Sequence, residues 1–217
     1  MKDQAIARSL QDWDDIFRTK AETLYPASDP SHDALHIRRV VATARALAQE
    51  EGADMHIVLP AAYFHDFVNV PKNDPHRAQA SRLSAEAAAE YLASAGYPAV
   101  YMDAIRHAIA AHSFSANITP ETREAEIVQD ADRLDSLGAI GIGRCFSTSA
   151  LMQRPYYCAN DIWAEHRALD DKNFTLDHFE IKLLKLGETM RTKAARAEAE
   201  KRIKFMRAFI AQLKEEL

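Results

Sequence analysis

Apolar residues along this chain recur mainly at spacings of three and four, the period of an amphipathic helix rather than a strand. Trp13, Ile16, Phe17, Ala21 and Leu24 predict a first helix, ended by a loop from Tyr25-Pro26 to Pro30. Ser31 or Asp33 is placed to cap a second, in which His36, Val40, Val41, Ala44, Leu47 and Ala48 share a broad face and Gly52 is the stop. Asp54 caps a third that runs through Ala61, Ala62 and His65, and the two prolines of Val70 to Pro75 require a loop after it. An Ala-rich helix follows from Gln79 to Ala95, closed by Gly96, and Pro98 opens another that reaches about Ala111. Thr119-Pro120-Glu121-Thr122 marks an N-terminus leading into Ile127, Val128, Ala131, Leu134 and Leu137. The pattern loosens between Gly138 and Asp171, with a surface loop expected around Gln153 to Asn160. It turns helical again from Thr175, and Arg191 to Leu217 reads as one long terminal helix.

No strand pair, repeat or low-complexity linker interrupts this series, so the prediction is an all-α single domain over residues 1–217 with a long C-terminal helix. Composition adds exclusions. Lys+Arg number 27 against 32 Asp+Glu, a formal charge of −5, which argues against a chain whose main business is coating nucleic acid. Two cysteines, Cys145 and Cys158, are too few for a secreted disulfide scaffold and are expected as reduced thiols. Met1-Lys2-Asp3-Gln4 leads into no apolar leader, and no apolar run approaches the ~20 residues of a bilayer span. The expectation is a cytoplasmic protein with no membrane partner.

Chemistry enters where polar groups interrupt apolar faces. His65-Asp66 arrives at the end of the apolar stretch Ala61-Ala62-Tyr63-Phe64, which aims a carboxylate at the core. Burying it alone is costly unless it is paired or binds a metal. A divalent cation resolves the conflict, with Asp66 supplying charge and oxygen and His65 a neutral nitrogen; alone, the dipeptide is equally a surface pair or a helix cap. His36 lies on the apolar face of the preceding helix, where a hydrogen-bonded core role is the plain alternative. Asp130, Asp132 and Asp135 crowd three carboxylates into a core-forming helix, with Asp132 and Asp135 sharing a face at i,i+3 and Asp130 pointing elsewhere.

The order His36, then His65-Asp66, then Asp132 resembles the H…HD…D signature of the HD superfamily of metal-dependent phosphohydrolases. The resemblance extends through Pro71-Lys72-Asn73-Asp74-Pro75 with Arg77-Ala78, Ala111-His112-Ser113-Phe114-Ser115 and the run from Asp130 to Gly141. It continues less specifically through His178-Phe179 and Lys182 to Leu186, covering roughly His32 to the C-terminus, with the ligand region within about 32–140. It implies a helical HD-domain bundle and, from one bacterial branch, hydrolysis of deoxynucleoside triphosphates to monophosphate and pyrophosphate.

Carried over by position, the resemblance implies metal ligands at His36, His65, Asp66 and Asp132. Asp132 is preferred over Asp130 and Asp135 because a basic residue, Arg133, directly follows it. Such a mixed nitrogen and oxygen set suits Mn²⁺, Fe²⁺, Ni²⁺, Co²⁺ or Zn²⁺. One metal is favoured; a second stays open because His107 and His112 lie between the HD pair and the last Asp, although a spacing of five puts them on different faces. Lys72, Arg77 and Arg133 are the candidate phosphate-binding cations. His112 is placed to donate to substrate or protonate the leaving oxygen. Asp74 is the candidate to orient or deprotonate water, because Asn69, where related nucleotidases carry an acid or histidine, cannot act as a base. Ser81, Ser84 and Glu86 are as readily capping or surface groups. The expected partner is a small phosphate compound, a nucleotide, with a homodimer open as the assembly and no nucleic-acid polymer. A nucleotidase or phosphodiesterase of the same superfamily, a non-catalytic nucleotide sensor and a structural metal staple are the competing readings.

Overall fold

The computed structural model describes residues 8–25, 33–68, 70 and 77–217, with the side chain of Arg77 outside that set. Among the described residues there are nine α-helices and no strand, in order α1 (Leu10–Leu24), α2 (Ala34–Glu51), α3 (Met55–Phe64), α4 (Ala80–Ala95), α5 (Met102–His112), α6 (Arg123–Leu134), α7 (Gly138–Leu151), α8 (Asp177–Ile181) and α9 (Lys193–Glu216). The loop expected at Val70 to Pro75, apart from Val70, and the cap Ser31 lie outside the described residues.

Local chemistry accounts for the ends of the helices. Ser9 and Asp12 form a reciprocal capping box, the Ser9 hydroxyl accepting from the Asp12 amide at 3.2 Å while the Asp12 carboxylate accepts from the Ser9 amide at 2.9 Å. Asp33, Asp54, Thr122 and Thr192 cap α2, α3, α6 and α9 one way, each side chain accepting a backbone amide of the first turn. Gly52 closes α2 with φ of 69°, a left-handed conformation that a side chain would strain.

The packing follows from the apolar faces. α2, α3, α5 and α6 pack on one another, α4 lies outside against α5, α1 covers α3, and α9 crosses α2, α6 and α7. Trp13 and Phe17 of α1 enter the core as an aromatic cluster, Phe17 meeting Phe64 edge to face at 5.3 Å between centroids and Trp13 meeting Tyr97 at 4.8 Å. His36, Phe64, Ala111 and Leu134 are all fully buried, and the C-terminal ends of α3, α5 and α6 converge beside the start of α2.

Three expectations need correction. Residues 138–151 form a full helix where the pattern is loose, and the reason is packing. A Cβ on Gly141 would come within 2.2 Å of the Ser136 carbonyl oxygen, so the glycine that weakens local helix propensity is what lets α7 turn tightly off α6. The helix expected from Pro98 instead begins at Met102, after a 3-10 turn over Ala99–Tyr101. From Thr175 the chain makes only the short α8 and a 3-10 stretch, Leu183–Thr189, before α9. Both cysteines are free, and no helix among the described residues is long and apolar enough to cross a membrane.

The irregular segment between α7 and α8 is stapled by a bidentate ion pair. Arg167 donates to both oxygens of the buried Asp177, at 2.5 and 2.9 Å, and the Asp170 amide adds a third bond at 2.6 Å. The Arg167 bonds hold the Asp177 carboxyl below its ordinary range. A depressed acid contributes stability above its unfolded value, about 3.9, and loses it as pH falls through the folded one. Asp177→Asn is therefore expected to melt lower than the parent at neutral pH, with the gap narrowing below about pH 4. Melting curves across pH 3 to 7 check it; a gap of constant size would contradict the assignment.

Candidate metal centre

Each histidine of the centre is fixed by its Nδ1, which determines what its Nε2 can do. The His65 Nδ1 donates to the Ala62 carbonyl at 2.9 Å, and the His112 Nδ1 donates to the Ile109 carbonyl at 2.7 Å. A carbonyl only accepts, so the proton sits on Nδ1 and the neutral ring presents a lone pair at Nε2. The His36 Nδ1 donates to Asp135 Oδ2 at 2.7 Å, with the same consequence. All three rings are buried, with centroids 5.4 Å apart for His36 and His65 and 4.9 Å for His65 and His112.

The Nε2 atoms converge on two carboxylates. His36 Nε2 is 3.5 Å and His65 Nε2 3.8 Å from Asp132 Oδ1, while His65 Nε2 is 3.6 Å from Asp66 Oδ2. Asp66 Oδ1 is in turn 3.6 Å from His112 Nε2. These separations are too long for good hydrogen bonds. Three of the four fall within the spacing of ligands on one ion, whose bonds of about 2.1 Å set neighbouring donor atoms roughly 3 to 3.6 Å apart, and the His65–Asp132 separation lies just above it. His65 Nε2 is fully buried and makes no hydrogen bond, a deficit that a cation would satisfy. His36, His65 and Asp66 offer ligand atoms all within 4.8 Å of one another. The donor set therefore fits a divalent transition ion.

Electrostatics agrees with that donor set. Burial pushes the His36 imidazole down, outweighing its bond to Asp135, and favours the neutral form a metal requires. Burial pushes the Asp132 carboxyl up, but the surrounding His65, His36 and His112 rings prevail and leave it below its ordinary value. Burial also pushes His112 down, yet the Asp66 carboxylate beside it wins and raises it. The shift of His112 is therefore opposite in direction to that of His36.

The three carboxylates of α6 separate into three tasks. Asp132 faces the cluster. Asp130 is fully buried and receives the Arg191 amide at 2.9 Å, the Thr192 amide at 2.8 Å and the Thr192 hydroxyl at 2.9 Å, so it anchors the start of α9. Asp135, 4% exposed, accepts from His36, from Arg39 Nε at 2.7 Å and from Arg144 Nη1 at 2.8 Å. Burial pushes the Asp135 carboxyl up, but these donors hold it well below the usual carboxylate range. Arg39 and Arg144 are functional neighbours that motif reading missed; the available signal was Arg39 lying one turn beyond His36 on α2.

Not every candidate joins the cluster. Arg133 donates from Nη1 to the Thr189 carbonyl at 3.0 Å and places its guanidinium 5.8 Å from the exposed Phe114 ring. It lines a wide groove of about 980 Å³ between α6 and the segment leading into α9. His107 accepts the Glu121 amide at 2.9 Å, a tie between α5 and the loop before α6. Ser81 donates to the Ala110 carbonyl, Ser84 accepts the Val68 amide, and Glu86 pairs with Arg106. Lys72, Asp74 and Asn69 lie outside the described residues, as does the side chain of Arg77, whose backbone opens a 3-10 turn before α4.

The protein comparisons agree with this geometry. A family model described as the HD domain matches residues 34–137, the span that carries all four candidate ligands. YpgQ of Bacillus subtilis is 32% identical over 204 residues, 92% of this chain and 91% of YpgQ. Its crystal structure in complex with ADP matches with a TM-score of 0.76, covering 96% of each chain. An HD-superfamily hydrolase from Bacillus thuringiensis is 31% identical with a TM-score of 0.73, over 96% of this chain and 98% of that one. Lin1889 from Listeria innocua is 26% identical with a TM-score of 0.74, over 96% and 97%. With the histidines and aspartates converging as described and the likeness running the length of these relatives, the chain belongs to the HD superfamily and is a metal-dependent phosphohydrolase.

Proposed function

We propose that the chain hydrolyses nucleoside triphosphates, deoxynucleotides among them, to the monophosphate and pyrophosphate in the cytoplasm, with one divalent transition ion held by His36, His65, Asp66 and Asp132. The observation that carries the reading is the buried convergence of lone pairs and carboxylates, with His65 Nε2 left without a hydrogen bond. The ADP complex of YpgQ supports a nucleotide as substrate.

An ion bound there supplies Lewis acidity to a phosphoryl oxygen and acidifies water. The two carboxylates balance its charge, so a phosphate meets a centre near neutrality. The chain's own groups do the rest. His36 and His65 are locked by Asp135 and the Ala62 carbonyl, so the centre is positioned before substrate arrives. His112, whose proton affinity the Asp66 carboxylate raises, donates from Nε2 to a phosphoryl or leaving oxygen. Lys72 and Arg77 as phosphate ligands and Asp74 as the water-orienting carboxylate complete the proposal from sequence alone. Arg133, turned to the groove beside Phe114, reaches the substrate's far side rather than the centre.

The test is to load the protein in turn with Mn²⁺, Fe²⁺, Co²⁺, Ni²⁺ and Zn²⁺, incubate it with a panel of nucleoside tri-, di- and monophosphates, and resolve the products. Monophosphate and pyrophosphate in equal amounts are expected. Orthophosphate, or turnover of monophosphates alone, would make it a nucleotidase; tight nucleotide binding without turnover would make it a sensor.

A further inference from the structure

α3 hands over to His65 and α5 ends on His112, and neither end carries the glycine that commonly closes a helix. At each, the imidazole Nδ1 takes the carbonyl three residues back, Ala62 for His65 and Ile109 for His112. The carbonyls that follow are those a helix end leaves without a main-chain partner. In α3 the Phe67 amide bonds the Phe64 carbonyl at 3.1 Å, one residue short of the helical ladder, and the Tyr63 carbonyl accepts the Tyr25 hydroxyl at 2.9 Å. In α5 the chain turns extended at Ser113, with φ of −73° and ψ of 130°. The Ala110 carbonyl there accepts the Ser81 hydroxyl at 2.9 Å, and the Ala111 carbonyl accepts Gln129 Nε2 at 2.7 Å.

Two of these donors come from elements that build the centre's walls. Tyr25 is the residue that ends α1, and Gln129 stands three residues before Asp132 on α6, tying the end of α5 to the turn that carries that carboxylate. Both are buried, so a carbonyl deprived of either is not readily rescued by water. Burial, and after it the Asp66 charge, pushes the Tyr25 phenol well above its ordinary value, so it stays a donor.

We infer that Tyr25 and Gln129 are positioning residues of the metal centre, standing in for the missing caps of α3 and α5 and fixing the peptide planes from which His65, Asp66 and His112 project. The inference rests on the ligand set of the proposed function. Without the Tyr25 hydroxyl the last turn of α3 has no fixed end, and His65 and Asp66 lose their common aim. Without Gln129 the same holds for His112 relative to Asp132.

The fold supplies a matched control at the other end of α3. Pro60 has no amide, and the His56 carbonyl accepts the Tyr97 hydroxyl at 2.6 Å instead. It is the same bond, from a buried tyrosine to a carbonyl of the same helix, about 14 Å along the axis from His65.

The experiment measures Co²⁺ and Mn²⁺ affinity of the full chain by chelator competition, the visible spectrum of bound Co²⁺, and the melting temperature in chelator. The variants are Tyr25→Phe, Gln129→Met and Tyr97→Phe. Tyr25→Phe and Gln129→Met are each expected to bind both ions about 10- to 100-fold more weakly, the range for groups that orient metal ligands, with an altered Co²⁺ spectrum. Tyr97→Phe is expected to melt lower than the parent yet keep its affinity and spectrum. Parent affinity in Tyr25→Phe or Gln129→Met would remove that residue from the role. An equal loss of affinity in Tyr97→Phe would overturn the inference, since a loosened helix would then explain all of it. Should Tyr25→Phe not fold, Gln129→Met decides by the same readings. A parent that binds neither ion would sink the ligand set itself, whereas a parent that binds them with both variants unaffected would sink only the positioning roles.

Discussion

Asp132→Ala is expected to lower triphosphate hydrolysis by about three orders of magnitude even at saturating metal, the scale seen when one electrostatic contact to a reacting centre is removed. Its Oδ1 is the atom that His36 Nε2 and His65 Nε2 both approach, at 3.5 and 3.8 Å, so the substitution takes a proposed ligand and a balancing charge together. The fold should tolerate the change, because α6 is anchored by Asp130, Ile127, Val128 and Leu134, all fully buried, whereas the Asp132 side chain is 28% exposed. The checks are kcat under excess metal, bound-metal stoichiometry and the melting temperature in chelator. Turnover within tenfold of the parent would remove Asp132 from the ligand set.

The second large effect is expected at Asp135, and it divides differently between stability and activity. Asp135→Asn keeps the size but leaves Arg39, Arg144 and the His36 Nδ1 around a neutral amide. Breaking a buried ionic group by removing one member costs roughly 3 kcal/mol or more, which urea unfolding would resolve. The His36 ring also loses the acceptor that fixes its proton on Nδ1, and losses of this kind weaken metal binding by about 10- to 100-fold. Asp132→Ala should thus remove activity with little change in chelated stability, whereas Asp135→Asn should lower both. A metal titration beside an unfolding curve separates the two residues.

The parts of the architecture that could be read from the chain are those where local and long-range forces agree. α2 and α6 carry clear apolar faces and side-chain caps, so their limits follow from residues such as Asp33, Gly52 and Thr122. α7 was hidden because its glycines lower helix propensity for a reason supplied only by the third dimension, the approach of Gly141 to the Ser136 carbonyl. In the same way, the i,i+3 relation of Asp132 and Asp135 puts them on one face, but not on opposite nitrogens of one imidazole. That requires α2 to be docked against α6, which places His36 between them. Arg144 was illegible for the same cause, since it reaches Asp135 only once α7 has formed. Separating Asp130, Asp132 and Asp135 into anchor, ligand candidate and orienting group took partners distant in the chain.

The two flanking aspartates of α6 have a consequence for how such a protein diverges. The segment from α7 to the start of α9 is clamped at both ends of one short stretch of helix, by Arg144 on Asp135 at its beginning and by Arg191 and Thr192 on Asp130 at its end. Between those clamps Leu176, Phe179, Leu183 and Leu186 are buried in the same core, so only the exposed loop residues of the segment are free to change so long as the chain returns to the same anchor. Retuning what the protein accepts then need not disturb the inorganic centre, whose geometry is guarded by the clamps themselves.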